Sequence, residues 1–389
     1  MGNLVADSVG NLYGTTEEGG SSQWGIVYEF VRPVPPKTAW TETVLHSFTN
    51  GVGGARPMAG LILDAAGNLY GTTERGTSLR SGIVFELLAP TTAGGKWKET
   101  VLHVFQPDSG DGSFPQTELT WDHSGNLIGV TPSGGSNRRS ACGGNCGTVF
   151  QLSPPSTPGG AWTETILYNF KWGQGVEPRG TPVVAANGAI YGTTYGGGKY
   201  GEGVIYRLTP PSIPGGAWNY RVLHAFTAGL DGASPIGALA LHGSGVLYGT
   251  TTRAGAYGGG TVFQLVPPAV AGGAWTENVL YSFGAENGDG SDPAANIVFG
   301  AEGNIFGNTS TGGAMTTSCS IPGCGAVFEL TPPATEGGAW AETILHSFPS
   351  GPTDGARPAG GLIISEGVLF GVTQSTGSNG EGTVYAVGK

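Results

Sequence analysis

One heptapeptide, GNLYGTT, occupies residues 10–16 and returns letter for letter at 67–73. Five variants follow: GNLIGVT at 125–131, GAIYGTT at 188–194, GVLYGTT at 245–251, GNIFGNT at 303–309 and GVLFGVT at 367–373. Successive copies start 57, 58, 63, 57, 58 and 64 residues apart. A period of this kind marks a chain that repeats one supersecondary unit and buries its apolar faces between copies. The units run approximately 1–57, 58–115, 116–178, 179–235, 236–293, 294–358 and 359–389.

Each unit offers four short strands. In the second they are GLILD (60–64), LYGTT (69–73), GIVFELL (82–88) and WKETVLHVF (97–105). All are rich in β-branched and aromatic residues and bounded by Gly, Pro, Asn or Asp. None has helical spacing over a useful length. Glycine at 73 copies and proline at 26 would permit low complexity, but 38% hydrophobic residues supply a core. The pattern predicts an all-β, seven-bladed β-propeller with four-stranded blades. A β-solenoid, whose coils are shorter, fits less well. The glycine inside each repeat is expected to let a neighbouring backbone or aromatic ring come close. Trp40, Trp97, Trp162, Trp218, Trp275 and Trp340 open the fourth strands and read as wedges between blades, and Trp121 reads as core.

The last unit stops after GTVYAVGK and has no fourth strand of its own. Three readings stand: a three-stranded blade, a native segment upstream of Met1 that completes it, or an open edge that pairs with another molecule. The upstream segment is the favoured expectation. A signal peptide is absent from MGNLVADSVG and is expected to have been removed.

LHSF (45–48), DGARP (354–358), GLILDAAGNLYGTT (60–73) and GTVFQL (147–152) together resemble the GloVer tandem repeat of bacterial extracellular proteins. The resemblance spans essentially the whole chain. It implies a secreted or surface-anchored propeller and brings no catalytic residues with it.

Charge narrows the partners. With 17 Lys and Arg against 28 Asp and Glu, the net charge of −11 disfavours nucleic acid. No stretch approaches the length of an apolar membrane span. The four cysteines stand as CGGNC (142–146) and CSIPGC (319–324), between the second and third strands of units three and six. Pairing of Cys142 with Cys146 and of Cys319 with Cys324 is expected, which implies an oxidising compartment. A shared zinc site is set aside because three blades separate the pairs. No cofactor is expected; calcium is the remaining ion to weigh, at PDSGDGS and NGDGSD, neither of which completes an EF-hand pattern.

What repeats in every unit reads as scaffold, and what breaks the pattern reads as a candidate site. His46, His103, His224 and His346 share one position with Tyr168 and Tyr281, so they read as packed, hydrogen-bonded aromatics. His123 and His242 fall at hairpin turns and read as solvated. Asp111, Asp231, Asp289 and Asp354 share a D-G-x-x-P turn, where Asp caps its own backbone. The non-repeating aromatics Trp24, Trp172, Tyr195, Tyr200 and Tyr257, with Arg56, Arg75, Arg179, Arg253 and Arg357 nearby, suit a sugar or peptide. The non-repeating acids are Glu17, Glu18, Glu74, Glu177, Glu202 and Asp292. Paired near one another they would suit a glycoside hydrolase or lyase. No nucleophile–His–acid set can be assembled. The expectation is a monomeric extracellular binding or scaffold module for a glycan or surface protein. The alternatives are a polysaccharide hydrolase or lyase and an assembly subunit joined through the last blade.

Overall fold

The computed structural model describes all residues except 1, 77–80, 93, 137–145, 158, 244, 271, 286–287, 315–322, 336, 351–353, 378–379 and 389. The chain forms two compact units. The first comprises 1–171, 177–188 and 209–218, and the second 172–176, 189–208 and 219–389. The fold class is the seven-bladed β-propeller, as the repeat predicts.

The first unit holds three complete antiparallel sheets, each with its strands in chain order. They are Val5–Ala6, Leu12–Thr16, Ile26–Val31, Thr41–Ser47; Ile62–Leu63, Leu69–Thr73, Ile83–Leu88, Lys98–Val104; and Thr120–Trp121, Leu127–Thr131, Thr148–Ser153, Thr163–Asn169. The second unit holds Ala240–His242, Val246–Thr251, Thr261–Val266, Thr276–Ser282 and Val298–Phe299, Ile305–Thr309, Ala326–Thr331, Ala341–Ser347. Its last sheet has three strands, Ala356–Ser365, Val368–Ser375 and Val384–Gly388. The fourth sheet of the chain (Val183–Val184, Ile190–Thr194, Val204–Thr209, Asn219–Ala225) draws on both units. Two short 3-10 turns, Pro107–Ser109 and Trp172–Gln174, and two small ladders (112–113 with 133–134, 290–291 with 311–312) were not visible in the sequence.

The heptapeptide is the second strand, and each of its letters has a task. Asn11 and Asn68 bond the turn aspartates Asp7 and Asp64 through both backbone and side-chain nitrogen. The hydroxyls of Tyr13 and Tyr70 reach the same aspartates and Glu29 or Glu86 on the third strand. A β-carbon on Gly71 would stand 2.7 Å from Phe85 Cζ and 2.8 Å from Leu61 Cδ2; Gly249 faces Phe263 in the same way. The close approach expected of this glycine is therefore made by the third-strand ring.

The first threonine of each pair stitches one sheet to the next. Thr15 Oγ1 donates to Ala59 O, Thr72 to Thr117 O, Thr193 to Gly237 O and Thr250 to Ala295 O, at 2.7–3.3 Å. The second threonine closes the following turn: Thr73 to Arg75 O and Thr194 to Gly196 O.

Fully buried Phe48, Phe105, Phe170, Phe226, Phe283 and Phe348 end the fourth strands and fill the space between sheets. A β-bulge before five of them places the register, as between Val84 and Phe85 opposite Val101–His103. The tryptophans that open the fourth strands do wedge between sheets. Trp97 packs on Tyr13 of the preceding sheet, Trp162 on Tyr70 and Trp275 on Tyr191, with centroids 6.2–6.4 Å apart. Trp121 is half-buried rather than core; it stands edge-on to Tyr70 at 5.0 Å and donates to Leu63 O.

Candidate functional site

A proline follows the fourth strand of every sheet but the last, at 57, 115, 178, 235, 293 and 358. The residue before it always has positive φ: Arg56, Phe114, Glu177, Ser234, Asp292 and Arg357, between 54° and 61°. A side chain in this conformation costs about 1–2 kcal/mol, a cost glycine avoids. This chain places glycine freely at other positive-φ positions. Five kinds of side chain nevertheless occupy this one position across six sheets. Each is pinned by its N–H to a carbonyl before the third strand, as Arg56 to Trp24 O at 2.9 Å and Asp292 to Gly259 O at 2.8 Å. Three of them accept from the residue after the next heptapeptide: Glu74 N donates to Arg56 O, Thr252 N to Ser234 O and Ser310 N to Asp292 O.

In the first unit this row gathers charge. Arg56 is ion-paired to Glu17 and, at 3.5 Å through Nε, to Glu74. Glu74 also accepts from Gln116 Nε2 at 3.1 Å and lies 3.5 Å from Arg75. Arg179 and Glu177 pair at 3.0 Å. The two predicted carboxylates Glu17 and Glu74 do meet, but across a guanidinium that donates to Glu17 and is ion-paired to Glu74. Glu18 is exposed and offers its carbonyl to Thr16. Trp24 packs half-buried against the cluster formed by Val27, Phe48, Leu69 and Phe85.

The second unit gathers rings. Arg253 lies over the Tyr195 ring at 5.7 Å and donates to Ser234 Oγ at 2.6 Å. Trp172, Tyr200 and Tyr257 are 45%, 50% and 61% exposed, and Lys199 Nζ sits 5.0 Å over Tyr200. Ser310 Oγ donates to Asp292 at 2.9 Å, and the half-buried Glu202 accepts Ser234 N on its carbonyl.

Glu118 was not singled out by the sequence reading. It lies beside the first strand of the third sheet, where the other repeats carry Asn3, Gly60, Thr181, Ala238, Asn296 and Gly361. Its carboxylate passes over Gly60, where a β-carbon would collide with it, and accepts Asn3 N at 3.2 Å. Burial pushes its pKa up to about 7. The signal that could have found it is charge: it alone is ionisable at that repeat position.

The histidines lie between sheets. His103, His224 and His346 each stack edge-on against the phenylalanine two residues on, at 4.8 Å. Each contacts its turn aspartate: His103 to Asp111 at 2.9 Å, His224 to Asp231 at 3.1 Å, His346 to Asp354 at 3.0 Å. A third group is a glutamate at the start of the fourth strand of the next sheet. Glu164 stands 3.6 Å from His103, and Glu99 stands 3.7 Å from His46. Burial raises Glu99 and Glu277 to about 7. Burial, then a hydrogen bond with Asp111, raises Glu164 further. Asp111 is also pushed up by burial, but bonds with His103, Glu164 and Gln106 N outweigh that and hold it low. Among the described residues, His103, Asp111 and Glu164 form the one set of three possible metal ligands, within 4.8 Å of one another.

A model of the Gloeobacter/Verrucomicrobia repeat matches residues 1–158 and 139–385. The chain belongs to this repeat family. No curated protein is similar to it in sequence. Among solved structures it is similar to a putative 6-phosphogluconolactonase from Bacteroides uniformis, at 14% identity over 100% of this chain and 98% of that one, TM-score 0.56. A PL25 ulvan lyase covers 84% of this chain and 91% of its own at 11% identity, TM-score 0.43. A Hadza microbial sialidase covers 95% and 74% at 12% identity, TM-score 0.46. The first likeness supports the fold, and none extends to the site.

Within this repeat-family chain, the loops weighed for calcium use their aspartates internally. Asp111 accepts from Gln106 N and Gly112 N, and Asp289 from Gly284 N and Ala285 N. His123 is exposed and contacts Ala185 O; His242 is exposed but lies 4.6 Å from the Phe299 ring. Cys146 and Cys324 are buried at 1% and 9% exposure. Their expected partners Cys142 and Cys319 lie outside the described residues. No helix among the described residues is long and apolar enough to cross a membrane.

Proposed function

We propose that this chain is a secreted or cell-surface binding module that takes a glycan or a protein loop on the ring-bearing loops of its second unit. The observation that carries the reading is the exposure of Trp172, Tyr200 and Tyr257, the two tyrosines standing in the same loops as the Tyr195–Arg253 pair. Large rings left in solvent on a rigid frame offer apolar faces to sugar C–H groups, and the adjacent Arg and Lys supply donors. Ligand binding would cost little ordering, because the pinned backbone is already fixed.

Glycan-array binding followed by calorimetry tests the proposal. Trp172→Ala with Tyr257→Ala should weaken a captured glycan at least about tenfold, the loss of roughly 1.4 kcal/mol. No binding to glycans or to extracellular proteins would overturn it. Release of reducing ends or unsaturated uronate would instead favour a hydrolase or lyase using Glu17, Glu74 or Glu118. Self-association through the last strand, Val384–Gly388, is the assembly alternative, read by light scattering.

The extracellular placement rests on the cysteines. We infer local bridges, Cys142–Cys146 and Cys319–Cys324, and neither described cysteine is a free thiol. Alkylation without reduction, followed by peptide mass mapping, should find all four protected. Four labelled thiols would remove the argument for an oxidising compartment.

A further inference from the structure

The clusters between sheets pose a problem that the ligand-binding proposal does not use. Two buried carboxyl groups in contact repel unless a proton or a cation lies between them. In the joint between the second and third sheets, an imidazole completes the set. His103 Nε2 lies 2.9 Å from Asp111 Oδ2 and 3.6 Å from Glu164 Oε1. Asp111 is 6% exposed. Glu164 Oε1 is shielded from solvent and has no hydrogen-bond partner. It is the same atom that approaches the imidazole.

These spacings suit a small metal ion. Three ligands at about 2.0–2.1 Å in a tetrahedron stand about 3.3 Å apart, close to the two distances found here. The donor set matters too. One imidazole nitrogen with two carboxylate oxygens favours zinc and its neighbours over calcium or magnesium, which prefer all-oxygen shells. Two other joints lack one member of the set, whereas His224, Asp231 and Glu277 repeat its residue types without coming together as a cluster of three. His46 meets Glu99 but has Gly53 where the aspartate would be, and the fifth sheet has Tyr281 in place of histidine.

We propose that His103, Asp111 and Glu164 form a binding site for one divalent transition-metal ion that clamps the second sheet to the third. The fourth position of the tetrahedron would be left to water. The ion would bridge a joint that otherwise depends on a shared proton, and would stiffen the loop 106–113.

Zinc titration of the metal-stripped full chain by calorimetry, with Co²⁺ absorption as a probe of tetrahedral coordination, tests this. One Zn²⁺ per chain is expected, with a rise in Tm. Asp111→Asn and Glu164→Gln should each weaken it more than the about 10–100-fold that losing a second-shell partner costs. His123→Ala removes an exposed histidine elsewhere and should change nothing. Because either joint variant could fold poorly, the wild-type Co²⁺ spectrum is an independent readout. An octahedral spectrum, Zn²⁺ binding weaker than about 1 mM, or equal affinity in the joint variants would each overturn the site.

Discussion

Replacing Gly71 by alanine tests whether the heptapeptide glycine is there for the ring beside it. Gly71 lies in a regular strand, so its backbone alone would accept alanine without strain. The added methyl would lie 2.7 Å from Phe85 Cζ, 3.1 Å from Phe85 Cε1 and 2.8 Å from Leu61 Cδ2. Carbon atoms rest at about 3.5–4.0 Å. Both neighbours must therefore retreat, yet Phe85 is 0% and Leu61 2% exposed, with no space behind them. Overpacking of this kind costs about 1–3 kcal/mol, and a methyl pressed by two fully buried groups belongs at the upper end.

Gly67 is the matched control. Its β-carbon would meet nothing within 4 Å, but its φ is +83°. Gly67→Ala should cost only the backbone term, about 1–2 kcal/mol. Urea unfolding followed by tryptophan fluorescence measures both. The decisive variant is the double mutant Gly71→Ala with Phe85→Leu. The shorter side chain makes room for the methyl, so the double mutant should be more stable than the two single losses added together, by at least about 1 kcal/mol. A Gly71→Ala protein within about 0.5 kcal/mol of wild type would refute the steric reasoning, as would strict additivity in the double mutant.

Three further outcomes are expected. Glu277 is raised from its ordinary value to about 7 by burial and then by the Asp231 charge. A raised folded pKa means its contribution is complete below about pH 4.5 and is lost as pH climbs to about 7. Glu277→Gln should therefore match wild type near pH 4.5 and gain on it by up to about 3 kcal/mol at pH 8, with a pH-independent difference refuting the assignment. Thr193→Val removes the buried hydrogen bond to Gly237 O and leaves that carbonyl unpaired, costing about 1–3 kcal/mol in the same urea assay. Arg56→Met should free Glu17 and Glu74 from their shared partner and destabilise the first unit, whereas Arg179→Met, on a 43% exposed pair, should be nearly silent by thermal unfolding.

The repeat made the fold readable because every copy solves the same packing problem. The glycine's role followed from its place in a strand, and the tryptophans' role from their fixed offset. Glu99, Glu164 and Glu277 escaped notice for the same reason. Their K-E-T, T-E-T and T-E-N contexts alternate like any exposed strand, and only the neighbouring sheet's side chains make each a buried acid. Glu118 was legible in principle, since it breaks the repeat at one position, but its contact with Asn3 crosses a whole sheet and depends on Gly60 having no side chain. The binding residues divided along similar lines. Trp24 and Trp172 look alike as non-repeating loop tryptophans. Trp24 comes just before a third strand and is drawn against its apolar cluster, whereas Trp172 sits in a 3-10 turn and faces water. The strained row was invisible for a different reason. Arg, Phe, Glu, Ser, Asp and Arg share no chemistry, only a backbone conformation that glycine would have adopted without strain. A position whose geometry is fixed while its side chain varies from sheet to sheet is what a binding surface on a repeat scaffold requires. That contrast is what supports the proposal of a binding surface at these positions.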